Sequence, residues 1–306
     1  MSFSADVRNE LAAIAPEQEC DRQAELSALF HSAGRLHLRG AGEVALHLDV
    51  ASSAVARRAF SLLRSFGVGS EIRTYRRRAF ERGTRYELHV AGRPRALQVL
   101  NELGVLDARL RPLARPPKRI TRRGCCRAAY LRGALLAAGS VSAPPSPHLE
   151  VRTETREAAE FLCEAAAAAA IDLGVLERRD HALAYAKGID RIAGTLALAG
   201  ASDAALALEE RAVVGETKAR ANRQTNADHA NLVRTSRAAH AQLEAVRRLE
   251  REGRLSELSP RLQEAAELRL RHPSLPFREL ALKCTPAATK ATIHRRFQRL
   301  IAFAET

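Results

Sequence analysis

The 306-residue sequence predicts an α+β fold made of two copies of one unit, followed by an all-helical C-terminal domain. Two nonapeptides, LSALFHSAG at 26–34 and LRGALLAAG at 131–139, share a helical pattern that closes on Ala-Gly. The same order of helix, strands, helix, hairpin and helix recurs in both halves, which is typical of an internal repeat packed about a pseudo-two-fold axis. Short helices with a basic last helix end the chain.

The first copy is predicted over residues 1–115. Ser4 is the predicted N-cap of the first helix, because Val7 and Leu11 then share one face. Apolar and polar residues alternate on both sides of Gly40–Gly42, which is typical of a hairpin. The predicted elements are, in order, helices 4–14 and 21–32, a hairpin across 36–50, a helix from Ser52 or Ser53 to Phe66, a hairpin across 70–90 and helix 94–103.

The second copy, over residues 116–212, repeats this order. Its predicted elements are helix 123–138, strand 148–153, helix 155–171, strands 174–179 and 181–187, and helical segments over 188–211. A helical linker is predicted over 213–258, with one or two helices across 216–252. The last domain, over 259–306, is predicted to be all-helical because apolar residues recur at helical spacing between stops at His272-Pro273 and Thr285-Pro286.

Composition excludes several classes of protein. The chain is 46% hydrophobic, 27% charged and 4% aromatic, which excludes collagen, coiled-coil rods and general disorder. No apolar run approaches the ~18–20 residues of a membrane span, and the N-terminus lacks the pattern of a signal peptide. Five cysteines with scattered spacing favour a reduced chain. We therefore expect a cytoplasmic protein without membrane contact.

The net charge of +14 favours a polyanionic partner, and nucleic acid is the usual one. Residues 108–149, here called the basic bridge, contain nine basic and no acidic residues, whereas residues 150–210 contain six basic and 12 acidic residues. We expect the bridge to face an anion; a solvated linker rich in Arg and Pro is the alternative. The predicted non-specific DNA contacts are Arg115, Lys118, Arg119, Arg122 and Arg123.

The last helices have the layout of a helix-turn-helix. Thr289 is the predicted N-cap of the final helix, which buries one apolar face and points basic residues away from it. The N-terminal half of such a helix reads bases in the major groove, so Arg295 and Arg296 are candidates for guanine and Arg299 for phosphate. A solvated basic face is the alternative. The predicted DNA-binding residues are Thr289, Lys290, Thr292, His294, Arg295, Arg296 and Arg299.

The sequence lacks the motifs of catalysis. No Walker A, GxSxG, HExxH or GxGxxG motif occurs in a usable context. His31 is predicted to be an ordinary helix residue rather than a ligand. Cys125 and Cys126 are adjacent and have no CxxC partner, which favours a packed helix pair over a zinc site. The sequence therefore predicts no catalytic residue, no metal and no cofactor.

Several segments resemble a known family. They are MSFSADVRNEL at 1–11, CCRAAYLRGALLAAGSVSAP at 125–144 with HLEVRTETREAAEFL after it, ANRQTNADHANL at 221–232 and TKATIHRRFQRL at 289–300. Over nearly its whole length the chain resembles the WhiA family of bacterial regulators of sporulation and cell division. Its two nonapeptides resemble the LAGLIDADG motif of homing endonucleases.

The resemblance implies two LAGLIDADG-like repeats, a linker and a C-terminal helix-turn-helix. It implies binding to double-stranded promoter DNA at the nucleoid, and joint action with WhiB, an iron–sulfur protein. In endonucleases of this kind, the eighth position of each motif supplies an acidic metal ligand; here those positions are Ala33 and Ala138, which implies binding without cleavage. The chain has His294-Arg295-Arg296 where the family usually has Asn-His-Arg, so we expect the base preference or the register of contacts to differ.

Two other classes of function remain open on the sequence alone. One is a LAGLIDADG-type DNA endonuclease, which acidic residues at positions 33 and 138 would have favoured. The other is a protein-interaction scaffold that does not bind DNA. Steep salt dependence and selectivity for one DNA sequence would separate a regulator from a scaffold.

Overall fold

The computed structural model describes residues 2–38, 44–76 and 84–306. The chain forms two compact units, Met1–Glu216 and Thr217–Thr306. Each unit has its own hydrophobic core. Among the described residues, no helix combines the length and the apolar character that a membrane span requires.

In its described residues, the first half of the Met1–Glu216 unit contains four helices and one antiparallel sheet. Its elements are α1 (Phe3–Ala13), α2 (Glu19–Ala33), β1 (Gly34–Leu38), β2 (Val44–Val50), α3 (Ser53–Ser65), β3 (Glu71–Arg76), β4 (Thr84–Ala91) and α4 (Pro94–Glu102). The strand order is β1-β2-β4-β3, and every neighbouring pair is antiparallel. Period-two alternation places Leu46, Leu48 and Val50 of β2 towards the core.

The second half repeats the first. Its elements are α5 (Gly124–Ala138), β5 (Gly139–Ser142), β6 (His148–Thr153), α6 (Arg156–Ala167), β7 (Gly174–Arg178), β8 (His181–Lys187) and α7 (Ile189–Ala199). The strand order β5-β6-β8-β7 corresponds strand for strand to that of the first sheet. The predicted internal repeat is therefore confirmed, and a single core extends through both halves.

The two nonapeptides lie on α2 and α5, which pack against each other at the centre of this unit. Gly133 of α5 faces the Glu25 carbonyl and the Ala28 side chain of α2, and a Cβ atom at position 133 would collide with both. Glycine is required there because the two helix backbones approach so closely. Each helix ends at an alanine and passes through a glycine into the first strand of its sheet.

Several predicted boundaries were wrong, for identifiable reasons. The N-cap of α1 is Ser2, whose side chain accepts a hydrogen bond from the Ala5 amide, whereas Ser4 accepts one from the Val141 amide. Strand β5 was not predicted, because four residues are too short to establish a period of two. The predicted hairpin turn at 40–42 lies outside the described residues, as do residues 77–83 of the predicted hairpin across 70–90.

The helical region after α7 also differs from the prediction. One helix, α8 (Ser202–Arg251), runs through the predicted helical segment that ends at 211 and the one or two helices predicted over 216–252. No proline interrupts these 50 residues, and the single glycine, Gly215, weakens helix propensity without ending the helix. The boundary between the two units falls within α8.

The Thr217–Thr306 unit contains the rest of α8 followed by α9 (Pro260–Arg271), α10 (Phe277–Leu282) and α11 (Lys290–Glu305). The predicted stops at His272-Pro273 and Thr285-Pro286 separate the three helices, and α11 continues to Glu305. The core of this unit is built from Val246 and Leu249 of α8 and from apolar residues of the three later helices. The described unit is therefore a compact helical domain that ends in the predicted helix-turn-helix.

Candidate nucleic-acid interface

The N-terminus of α11 is fixed by a side-chain cap. The Thr289 hydroxyl accepts a hydrogen bond from the Thr292 amide at 3.2 Å and lies 2.9 Å from the Thr292 hydroxyl. Such a cap satisfies one of the free amides at a helix start and is worth about 1 kcal/mol. Thr289 and Thr292 are both exposed, so the capping residue and its partner lie at the surface of the domain.

The two faces of α11 have opposite chemistry. Ile293, Phe297, Leu300 and Ala304 are buried in the core of the unit. The predicted contacts on the other face are exposed: Lys290, Thr292, His294, Arg295 and Arg299. Among the described residues, no ion pair involves Lys290, Arg295 or Arg299. The structure thus leaves three cations of α11 exposed and without an acidic partner, and Arg295 and Arg299, four residues apart, share one helix face.

Arg296 occupies a different position from its neighbour Arg295. Its guanidinium forms an ion pair with Glu264 of α9 at 3.1 Å and also donates to the Cys284 sulfur, and the side chain is only 13% exposed. Glu264 in turn accepts a hydrogen bond from the Thr285 amide in the turn. Arg296 therefore ties α11 to α9 and to the turn. Nothing in the sequence signalled this partner, because Glu264 lies 32 residues away.

A buried arginine behind α11 escaped the sequence analysis. Arg269 of α9 is 2% exposed and lies against the rings of Phe277 and Phe297, at 5.6 Å and 5.1 Å. It donates to the Gln242 side chain at 2.7 Å and to the Leu275 carbonyl at 2.8 Å. Burial lowers the pKa of Arg269. The available signal was an arginine at a core-facing position of an otherwise apolar helix stripe.

Arg269 therefore links α8, α9, α10 and α11. Its five N–H groups suit this position, because a planar guanidinium stacks on aromatic rings while it donates in its own plane. Through Phe297 it supports the side of α11 opposite to Arg295. The helix that carries these cations is therefore anchored to the rest of the domain by its buried face.

The predicted contacts of the basic bridge fall into two groups. Arg115 pairs with Glu164 at 3.2 Å and lies over the Phe161 ring, and Arg119 donates to the Glu102 carbonyl at the end of α4 at 3.1 Å. Lys118, Arg122 and Arg123 are exposed and form no ion pair within the described part of the chain. The bridge lacks acids in sequence, yet the fold brings Glu164 to it from 49 residues away.

The most buried charges of the same unit form a triad on the motif helices. Glu25 of α2 is fully buried and receives Arg58 at 2.6 Å and Arg132 of α5 at 2.8 Å. Arg132 also donates to the Ala199 carbonyl at 3.2 Å. An arginine of the bridge is thus committed to the contact between the two repeats rather than to solvent or a ligand.

The C-terminal ends of the motif helices carry no carboxylate. α2 ends at Ala33 and α5 at Ala138, the positions at which the LAGLIDADG resemblance would place acidic metal ligands. His31 lies one turn earlier; burial lowers its pKa, and its Nδ1 lies 2.9 Å from the Ser27 carbonyl oxygen. This hydrogen bond agrees with the interpretation of His31 as a helix residue.

One group of side chains in the described residues has the chemistry of metal ligands. It consists of Cys20, Asp21, Cys125 and Cys126, at the N-terminal ends of α2 and α5. The spacing argument missed this group, because Cys20 is 105 residues from Cys125. The 15 residues of α5 extend about 20 Å. The group therefore lies far from the helix ends where an endonuclease of this fold would bind its metals.

Comparisons with known proteins agree with this architecture. The WhiA N-terminal LAGLIDADG-like domain matches residues 19–106, the WhiA LAGLIDADG-like domain matches 127–218, and the WhiA C-terminal HTH domain matches 221–304. A probable cell division protein WhiA from Symbiobacterium thermophilum is 38% identical to this chain. The alignment covers all of this chain and 98% of that relative. This chain belongs to the WhiA family.

Other relatives extend the same result. A probable cell division protein WhiA from Heliobacterium modesticaldum is 34% identical to this chain. The alignment covers all of this chain and 96% of that relative. The crystal structure of full-length DUF199/WhiA from Thermatoga maritima matches all of this chain and 98% of its own, with a TM-score of 0.58 at 21% identity. The family assignment confirms the predicted fold class of two LAGLIDADG-like repeats followed by a helix-turn-helix domain.

Proposed function

We propose that this chain is a sequence-specific DNA-binding regulator that acts at promoters of genes for cell division and sporulation. The observation that carries the proposal is the exposed side of α11, where Arg295 and Arg299 share one face and Lys290 begins the helix, all without acidic partners in the described unit. The names of the relatives support a role in cell division. The proposed action is in the cytoplasm at the nucleoid, with WhiB as a second regulator by family inference.

The contacts in this proposal differ from residue to residue. Arg295 is exposed on the N-terminal half of α11, the part of a recognition helix that reads bases, and its guanidinium suits bidentate binding to guanine. Lys290, Thr292 and His294 lie on the same half, and Arg299, one turn further, is assigned to phosphate. Arg296 and Thr289 remain in the proposed set of DNA contacts. Arg296 also forms an ion pair with Glu264, and Thr289 also caps α11.

The proposed division of the chain follows the repeat. Residues 1–115 and 116–212 are the two LAGLIDADG-like repeats, 213–258 the helical linker and 259–306 the helix-turn-helix domain. Within the second repeat, Lys118, Arg122 and Arg123 are exposed and are proposed to add non-specific affinity. Arg115 and Arg119 stay in that set as weaker contributors, because each already has a partner.

The proposal includes binding without cleavage. Two-metal hydrolysis of a phosphodiester needs carboxylates that converge on the scissile phosphate, and alanine occupies both motif positions where the fold would supply them. An endonuclease would nick DNA at its own binding site in the presence of Mg²⁺ or Mn²⁺. We expect no site-specific nicking by the purified chain, and nicking that co-purifies with it would overturn this part of the proposal.

The test of the main proposal begins with genome-wide mapping of binding sites for the full chain. The recovered DNA sequence is then used in equilibrium binding with wild-type protein and the Arg295→Ala variant. We expect promoter-associated sites that share one motif, and a preference over scrambled DNA that Arg295→Ala reduces. Equal affinity of the wild type for motif and scrambled DNA would favour the alternative of a scaffold whose basic surfaces bind an acidic protein.

A further inference from the structure

The N-terminal ends of the two motif helices meet at a cluster of sulfur atoms. Cys20 is the second residue of α2, and Cys125 and Cys126 are the second and third residues of α5. These helices are parallel, because their first turns meet at this cluster while Gly133 meets Glu25 and Ala28 further along. Residues remote in sequence therefore share one location at the contact between the repeats.

The spacing of the side chains matches a tetrahedral metal site. One ligand atom from each of Cys20, Asp21, Cys125 and Cys126 lies within 4.8 Å of all the others. The sulfur atoms of Cys125 and Cys126 are 3.9 Å apart, and the Cys20 sulfur is 3.6 Å from the Asp21 carboxylate. A tetrahedral ion with metal–sulfur bonds of about 2.3 Å separates its sulfur ligands by about 3.8 Å. The Cys125–Cys126 separation is close to this value, and the other ligand atoms, which lie within 4.8 Å of one another, need to approach by at most about 1 Å.

The chemistry of the four ligands selects one class of ion. Three thiolates and a carboxylate suit zinc, because soft sulfur ligands in a four-coordinate arrangement favour it over magnesium or calcium. The positive ends of two helix dipoles favour the negative charge that such ligands carry. Arg122 and Arg123 directly precede α5 and add positive charge next to it. Both effects offset the excess negative charge of a three-thiolate site.

An outer residue orients two of the ligands. The Gln18 side-chain oxygen accepts hydrogen bonds from the Cys20 thiol at 3.5 Å and from the Cys125 thiol at 3.8 Å, so it contacts residues of both helices. A metal-bound thiolate has no proton to donate, so the Gln18 amide must turn its N–H towards these sulfurs when zinc binds. Residues that hydrogen-bond to metal ligands typically change metal affinity by roughly 10–100-fold when mutated. Replacing Gln18 is therefore expected to weaken zinc binding, but less than the removal of one of the four ligands does.

We infer that Cys20, Asp21, Cys125 and Cys126 bind one zinc ion, which joins the first turns of the two repeat helices. Four protein ligands fill a tetrahedral shell and leave no open position, so the site is structural rather than catalytic. The ion connects the two repeats at the ends of α2 and α5, whereas the Glu25 triad connects them further along. This inference is independent of DNA binding and requires no property of α11.

The test measures zinc binding to the full chain. Protein is reduced, stripped with a chelator and titrated with Zn²⁺ against a chromophoric competitor, and bound metal is counted by atomic emission. We expect one zinc ion per chain and a higher melting temperature when zinc is bound, because the ion binds only the folded arrangement. Co²⁺ in place of zinc should give the absorption of a tetrahedral thiolate complex.

Variants locate the ion. Cys125→Ser removes an exposed ligand and Cys20→Ser a half-buried one, so both should keep the fold, which circular dichroism checks. We expect each to weaken zinc binding more than Gln18→Ala does, for which about tenfold is expected. Cys163→Ser, which changes a half-buried cysteine on α6 outside the cluster, is the matched control and should bind zinc as the wild type does.

Three results would overturn the inference. The first is a wild-type chain that takes up no stoichiometric zinc or Co²⁺ after reduction. The second is a folded Cys20→Ser or Cys125→Ser chain with the affinity of the Cys163→Ser control. The third is a disulfide within the cluster in protein isolated without reductant and lacking zinc, which would make the group a redox pair instead. The stoichiometry of the wild type keeps the test decisive if a variant fails to fold.

Discussion

The two units of this chain use arginine in different ways. In the Met1–Glu216 unit, Arg58 and Arg132 enclose the buried Glu25, and Arg115 pairs with Glu164. In the Thr217–Thr306 unit, Arg269 is buried and Arg296 is paired, but Arg295 and Arg299 extend from the same helix without acidic partners in the described residues. Net charge along the sequence therefore does not measure the charge available to a ligand. What matters is which cations the fold leaves unpaired.

The comparison also separates two energetic roles. A buried pair contributes to the fold only as long as both partners are present, since removing one leaves an uncompensated charge in a dry environment. An exposed, unpaired cation contributes little to folding, yet it is free to bind phosphate and release the counterions held there. The Glu25 triad shows the first role, and the exposed arginines of α11 show the second.

The largest expected effect is on the buried triad. Glu25→Gln removes the charge that compensates Arg58 and Arg132, so we expect a decrease of about 3–5 kcal/mol in the free energy of unfolding. Urea unfolding followed by circular dichroism measures it. The matched control is Glu164→Gln, whose exposed pair with Arg115 is expected to be worth less than about 1 kcal/mol. Equal destabilisation by the two variants would remove the distinction between buried and exposed pairs.

The second prediction contrasts two neighbouring arginines. Arg295→Ala should weaken binding to the best DNA site by about 1–3 kcal/mol and relax preference at one base pair, with little change in stability. Arg296→Ala should also lower the melting temperature, because it leaves Glu264 without its partner. Binding isotherms and thermal melts of both full-length variants check this. If Arg296→Ala changed base preference without changing stability, its ion pair would have no structural role.

The third prediction concerns the basic bridge. Replacing Lys118, Arg122 and Arg123 together by alanine should lower affinity for all DNA sequences alike, and the salt slope should fall by roughly one unit for each phosphate that is no longer neutralised. Arg111→Ala and Arg119→Ala, whose side chains already have partners, serve as controls with smaller effects. An unchanged slope in the triple variant would make the bridge an ordinary solvated segment.

The smallest effect is a pH dependence. Burial lowers the pKa of His31, so the unfolded chain binds a proton at a higher pH than the folded chain does. Its contribution to stability is present above the unfolded pKa near 6.5 and is lost as the pH falls through the lower folded pKa, by at most about 1.4 kcal/mol per pH unit. The free energy of unfolding should therefore change less between pH 7 and pH 5 in the His31→Gln variant than in the wild type. An equal change of that free energy with pH in both proteins would contradict this assignment.

Sequence reasoning was strongest where local chemistry decides structure. Thr289 was predicted as a cap and is one, and the repeat was predicted from two nonapeptides that do pack together. The pairing of Arg296 with Glu264, the contact of Arg269 with Gln242 and the meeting of Cys20 with Cys125 were not predictable. Each contact joins residues far apart in sequence. Helical periodicity shows which face of a helix is buried, but it does not identify the residue of another element that a side chain contacts.

The central claim is that unpaired cations on α11, rather than the total positive charge, decide sequence recognition. The most direct measurement is the ratio of affinities for the mapped site and for scrambled DNA, at one salt concentration, with full-length protein. We expect Arg295→Ala to reduce this ratio about tenfold or more, and the Lys118, Arg122 and Arg123 triple variant to weaken both affinities while preserving the ratio. A ratio that falls in the triple variant and survives Arg295→Ala would contradict the claim.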